Sequence, residues 1–111
     1  MVEPGPIAEI TTTVRYFAAA RAAAGAAEES LTVPAVPAGR LSGDAAEPST
    51  AEPSTATVDA VLEAAIGRHG GALATVLRRC SFLLDEVAVH GTQTRVRTGQ
   101  ILDVLPPFAG G

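Results

Sequence analysis

Apolar positions change period several times along the chain, and each change marks an element. Residues Ile10 to Phe17 are β-branched and aromatic, and alternation puts Ile10, Thr12, Val14 and Tyr16 on one face, which predicts a strand. Ala18 to Ala24 is alanine-rich and closes on Gly25, the pattern of a short helical turn with a glycine cap. Ser30 to Val33 predicts a second strand, ended by Pro34. At Thr57 the period becomes helical. Val58, Val61, Leu62, Ala65 and Ile66 form one stripe behind Thr57 as N-cap, Asp59 suits the positive helix start, and Gly70-Gly71 stops the run. Leu73, Val76 and Leu77 suggest a second short helix with Arg78 and Arg79 at its C-terminal end.

Beyond it, Phe82-Leu83-Leu84 and Val87-Ala88-Val89 are split by Asp85-Glu86, which predicts either one kinked strand over Ser81–His90 or two short ones. Arg95-Val96-Arg97 has the composition of a short edge strand blunted by charge, and Ile101 to Leu105 predicts the last strand. Two stretches lack these periods. Met1–Glu9 is a leader. Pro34–Ala56 contains the tandem pentapeptide Ala46-Glu47-Pro48-Ser49-Thr50, Ala51-Glu52-Pro53-Ser54-Thr55, too few units for a repeat fold, and has the composition of an inserted surface loop. The expected architecture is one domain over residues 10–111: a small sheet with one main helix across a face, and the last strand beside the first in the middle.

Composition narrows the function classes. The 111 residues carry a formal net charge of −4 without a basic cluster, which disfavours a nucleic-acid surface. All basic residues are arginine, so no side chain of this chain can receive a glycine carboxylate as an isopeptide. No apolar run approaches membrane-span length, and the leader lacks the basic-then-apolar order of a signal peptide; the expected location is the cytoplasm. A single cysteine, Cys80, excludes an internal disulfide.

The most informative segment is Val104-Leu105-Pro106-Pro107-Phe108-Ala109-Gly110-Gly111, where a buried-type strand runs into two prolines and then two glycines. At a glycine usage of about 7%, a glycine pair at one fixed place arises by chance in roughly one chain in two hundred. Pro106 and Pro107 hold such a tail extended and lower the entropy lost on insertion into a slot. Gly110 and Gly111 offer no Cβ to obstruct it, and the α-carboxylate is the chemical group at its tip. Alternation assigns Leu102 and Val104 to the core and places Ile101, Asp103 and Leu105 on the other face. Leu105 and Phe108 are then candidates for a partner-facing apolar patch, with packing on the domain itself the competing reading for Phe108.

This tail resembles that of the β-grasp sulfur carriers, in particular the MoaD family, the small subunits of molybdopterin synthase. Val14-Arg15-Tyr16-Phe17-Ala18-Ala19-Ala20-Arg21 with Gly25, and Thr57-Val58-Asp59-Ala60-Val61-Leu62, resemble that family's first strand with its turn and its helix start. The resemblance implies an α+β, ubiquitin-like fold with a mixed sheet of four to five strands. It implies that the Gly111 carboxylate is adenylated by an E1-like, MoeB-like enzyme using ATP. A sulfur donor such as a cysteine desulfurase or rhodanese then converts it to a thiocarboxylate, with Gly110 beside it. Leu105, Pro106, Pro107, Phe108 and Ala109 would contact the partners. The catalytic site would lie on a MoaE-like large subunit, with no cofactor held stably by this chain and no nucleic-acid or membrane partner.

Competing readings are a carrier for thiamine, cysteine or another thio-metabolite, a ubiquitin-like protein modifier, and an interaction module with no use for its terminus. The proline pair favours the molybdopterin-synthase reading, because thiamine carriers usually lack it. Other residues weigh less. Cys80 reads as a partly buried structural cysteine, although Arg78 and Arg79 beside it favour a thiolate. His69 and His90 lack ligand spacing for a metal. Asp85-Glu86 reads as a solvated turn rather than a catalytic pair. Arg15, Arg21, Arg95 and Arg97 fit a partner surface or ordinary solvated positions equally.

Overall fold

The computed structural model describes residues 8–37 and 54–107. In chain order the elements are β1 (Glu9–Tyr16), α1 (Ala18–Ala24), β2 (Glu28–Pro34), β3 (Val36–Pro37), β4 (Ser54–Thr57), α2 (Val58–His69), α3 (Gly71–Leu77), β5 (Ser81–Leu84), β6 (Val87–Ala88), β7 (Arg95–Val96) and β8 (Ile101–Leu105). The main sheet has the order β2-β1-β8-β5-β6, and β3, β4 and β7 form a smaller one. β8 lies in the middle as the sequence predicts, parallel to β1 and antiparallel to β5.

One face of the main sheet carries the core. Ile10, Thr12, Val14 and Tyr16 of β1 are all at most 2% exposed, and Leu102 and Val104 of β8 are fully buried. They pack with Val58, Val61, Leu62 and Ala65, the stripe of α2. Buried apolar area of this kind contributes about 25 cal/mol per Å2. α2 begins where Thr57 Oγ1 accepts a hydrogen bond from the Ala60 amide at 3.1 Å. Two further first-turn donors, the amides of Val58 and Asp59, reach the carbonyls of Thr94 and Thr92 at 2.9 Å, so the loop before β7 completes the helix start. α1 ends on Gly25, whose φ of 77° is left-handed and whose amide donates to the Arg21 carbonyl.

Two boundaries differ from the sequence expectation, and two further segments are settled by the structure. The leader is shorter than Met1–Glu9, because Glu9 opens β1 and the Ala8 carbonyl accepts from the Ala35 amide at 2.9 Å. The insertion is narrower than Pro34–Ala56. Pro34 closes β2, Val36–Pro37 pairs antiparallel with Ser54–Thr55, and Thr55 and Ala56 are buried. The tandem pentapeptide lies outside the described residues up to Pro53. Of the two alternatives for Ser81–His90, the two short strands are found: Asp85 and Glu86 form a two-residue turn with φ of 49° and 71°, the twist a tight hairpin needs. Arg95–Val96 is an edge strand as expected, paired with β4 in the smaller sheet, and Val96 is fully buried.

Candidate functional site at the end of the central strand

β8 carries the chain to Pro106 and Pro107 between the C-terminal end of β1 and the N-terminal end of β5. The last pairs are Tyr16 with Val104 and Ser81 with Leu105. The Phe17 amide then donates to the Val104 carbonyl at 3.2 Å, so the final turn of β8 is held from both sides. Leu105 and Pro106 are half-buried and Pro107 is exposed. A proline has no amide to add to a ladder, so pairing stops here and the chain departs from the sheet. Of the expected site residues, Leu105, Pro106 and Pro107 are thus brought together at the exit. Phe108, Ala109, Gly110 and Gly111 lie outside the described residues.

Phe17 belongs to the same exit and escaped the sequence reading. It is 40% exposed, one of two large exposed hydrophobics among the described residues. Its backbone is extended, Ala18 after it has a φ of 51°, and the chain turns there into α1. The clue was alternation: with Tyr16 in the core, the next residue points elsewhere.

Asp103 was assigned only to the face opposite the core, yet it is 5% exposed. Parallel register places it beside Arg15, whose Nε and Nη2 donate to the two carboxylate oxygens at 2.6 and 2.9 Å. The bidentate bond with Asp103, then its charge, raises the Arg15 pKa further above its ordinary value. Arg15 is therefore committed within the sheet rather than freely solvated. Arg95 is likewise engaged, donating to Thr55 Oγ1 at 3.0 Å. Asp85 is more than a solvated turn: its oxygens accept from the Ile101 amide at 2.9 Å and from Gln100 Nε2 at 3.1 Å, which fastens the β5–β6 hairpin to the start of β8.

A second polar cluster sits on the core side of the β1 terminus. Glu29 Oε2 accepts from the Tyr16 hydroxyl at 2.6 Å and lies 2.6 Å from His69 Nε2, while Arg68 Nε is 3.1 Å from Oε1. The Tyr16 and His69 rings meet edge to face with centroids 6.0 Å apart. Burial pushes the Glu29 carboxyl up, but the hydrogen bonds from Tyr16 and His69 and the charges of His69 and Arg68 outweigh it and leave the pKa lowered. Burial and the Glu29 bond push the Tyr16 phenol well up, so it stays protonated as a donor.

Cys80 is half-buried and donates to the Val76 carbonyl at 3.3 Å. Burial raises its thiol pKa, opposite to the activation that Arg78 and Arg79 suggested. Among the described residues no group of three or more His, Cys, Asp or Glu side chains is placed to hold a metal. No helix among them is long and apolar enough to cross a membrane.

The mixed five-stranded sheet, packed on α2 and ending in a central strand that leads outward, defines a β-grasp, ubiquitin-like domain of the kind used by ThiS/MoaD-like sulfur carriers and ubiquitin-like modifiers. A family model described as the ThiS family matches residues 40–111, and the chain belongs to that family. Solved structures with this fold include SAMP1 from Haloferax volcanii, 22% identical, with 91% of this chain and 99% of that one covered at a TM-score of 0.65. A putative molybdopterin converting factor subunit 1 from Pyrococcus furiosus is 18% identical, covering 88% of this chain and 98% of the other at 0.57. A complex of subunits 1 and 2 of molybdopterin-converting factor from Helicobacter pylori contains a chain 19% identical, covering 92% and 100% at 0.50. No curated protein is matched.

Proposed function

We propose that this chain is the sulfur-carrying small subunit of a molybdopterin synthase, with the Gly111 carboxyl as the sulfur-bearing group. The observation that carries the reading is the central strand β8 running directly into Pro106-Pro107, within a ThiS-family match that extends through Gly111. The partner in the Helicobacter pylori complex supports a second subunit as the acceptor's host.

The chemistry is acyl activation. A carboxylate is a poor acyl donor, so its oxygen attacks the α-phosphorus of ATP on an E1-like enzyme, releasing pyrophosphate and forming Gly111-acyl-AMP. A hydrosulfide equivalent from a sulfur donor then attacks the acyl carbon and expels AMP, leaving the thiocarboxylate. No oxidation or reduction is needed if sulfur arrives at the sulfide level. In the large subunit's active site that sulfur bonds to carbon of a pterin precursor, and water then cleaves the acyl–sulfur bond, which leaves the sulfur on the pterin and regenerates the carboxylate. This chain supplies reach and presentation: Leu105 and the proline pair seat against the partner, and the glycines enter the slot.

The test is to incubate the chain with ATP, the activating enzyme and a sulfide source, and weigh it intact. A mass gain equal to sulfur minus oxygen is expected, absent when Gly111 is deleted. No gain would sink the carrier reading. A chain that gains sulfur but does not complement loss of a molybdopterin-synthase small subunit serves another sulfur pathway. Covalent conjugates with lysines of other proteins, in place of sulfur gain, would favour the modifier reading.

A further inference from the structure

The cations around the tail exit are all arginine. Leu105 pairs with Ser81, which follows Arg78, Arg79 and Cys80 in the chain. The bond from the Phe17 amide to the Val104 carbonyl brings the start of α1, with Arg21 one turn further on, to the same end of the sheet. Arg15 lies beside Asp103, two residues before Leu105. Residues 106–111 follow Leu105, and a stretch of that length spans at most about 20 Å. That is enough to return the Gly111 carbonyl to the side chains around its own exit.

An acyl adenylate is open to any amine, thiolate or imidazole it meets, and a tethered group competes at an effective concentration on the order of millimolar. A lysine amine there would form a C–N bond to the Gly111 carbonyl carbon. AMP would leave with the bonding pair, and the surplus proton would pass to solvent. Arginine keeps its proton at physiological pH, so it supplies charge without a lone pair to attack with. The 111 residues contain no lysine. The other nucleophiles near the exit are withdrawn. The Cys80 thiol is half-buried and donates to the Val76 carbonyl at 3.3 Å, and burial holds it in the unreactive thiol form. The Tyr16 hydroxyl and His69 Nε2 both lie 2.6 Å from Glu29 Oε2. His90 is exposed at the outer edge of the β5–β6 hairpin, but an acyl-imidazole hydrolyses back to the carboxylate and leaves no lasting adduct.

Resting on the carrier reading, we infer that the end of the domain around the tail is cleared of acyl acceptors, so that activated Gly111 is captured by an external nucleophile and not by its own chain. Two independent features carry the assignment: the cations near the exit are arginine throughout, and the one thiol within reach is turned onto a helix carbonyl. The device makes discharge selective. A sulfur donor, or an amine on a different protein, can take the acyl group, whereas no side-chain amine of this chain or of a second copy can.

The test uses the full chain with the activating enzyme and ATP but no sulfur source. The chain is weighed intact before and after mild base, which hydrolyses adenylates and thioesters but not amides. At equal pyrophosphate release, Arg79→Lys should accumulate a base-stable species one water lighter than the starting chain, about tenfold or more above the native level. Arg97→Lys places the same amine at the opposite end of β8, where Gly99 bonds to Thr11, and should yield severalfold less. The inference is overturned if the native chain itself forms a species one water lighter, base-stable or base-labile. It is equally overturned if Arg79→Lys yields no more amide than the native chain or than Arg97→Lys; in both cases the carrier reading stands. If the native chain releases no pyrophosphate, the carrier reading falls and the inference with it.

Discussion

At the residue scale, Glu29 gathers the most consequence. Its carboxylate accepts from Tyr16 and faces His69 and Arg68 at the point where β1, β2 and the end of α2 meet. Because its pKa is lowered on folding, the carboxylate contributes stability that is fully present above the ordinary glutamate range and is lost as pH falls through the lowered value. Glu29→Gln should cost about 1–3 kcal/mol at neutral pH and flatten the acid limb of the stability curve, measured by urea unfolding between neutral and strongly acidic buffers. Parallel acid limbs for the two proteins would show that another carboxylate governs acid loss. None of this cluster is visible in the sequence. Alternation with Leu31 and Val33 puts Glu29 on the inner face and Glu28 on the outer, but His69 stands forty residues away. Arg15 and Asp103 are likewise 88 residues apart, and only the parallel register of β1 and β8 makes them partners.

At the element scale, β8 separates two jobs by face. Leu102 and Val104 hold the strand in the core, whereas Leu105 is half-buried at its exit. Leu102→Ala should destabilise the domain by about 2–5 kcal/mol, and Leu105→Ala by no more than about 1 kcal/mol, in denaturant titrations. If Leu105→Ala proves as costly as Leu102→Ala, Leu105 belongs to the core and not to the exit. This division was readable beforehand, because a strand's period of two sorts residues without knowledge of their partners. So were β1, the Thr57 cap and the α2 stripe. The β5–β6 turn was readable only as one of two alternatives. Asp-Glu is a weak signal for a turn with both φ values positive, which usually calls for Asn or Gly. Of the β3–β4–β7 ladder only β7 was readable; β3 and β4 are two and four residues long and border a proline-rich segment that carries no alternation.

At the scale of the molecule, the ladder between β3 and β4 has a practical meaning. Pro37 and Ser54 are directly opposite each other, so the ends of the segment between them are neighbours across two strands. Replacing residues 38–53 with a four-residue Gly-containing turn should preserve the fold. Quartering the loop should add about 1 kcal/mol, because each halving of loop length recovers about 0.6 kcal/mol of closure entropy. A fall in thermal midpoint would mean that the excised residues make contacts of their own.

The central place of β8 also sets an order for synthesis. β1 emerges from the ribosome early, yet its inner partner is made nearly ninety residues later. Until then β1 has β2 along one side only and presents a vacant edge on the other. Pairings this distant are slow to form and leave unfinished chains prone to association. A product cut short before Ile101 thus lacks the middle of its sheet and leaves both β1 and β5 without the strand that joins them.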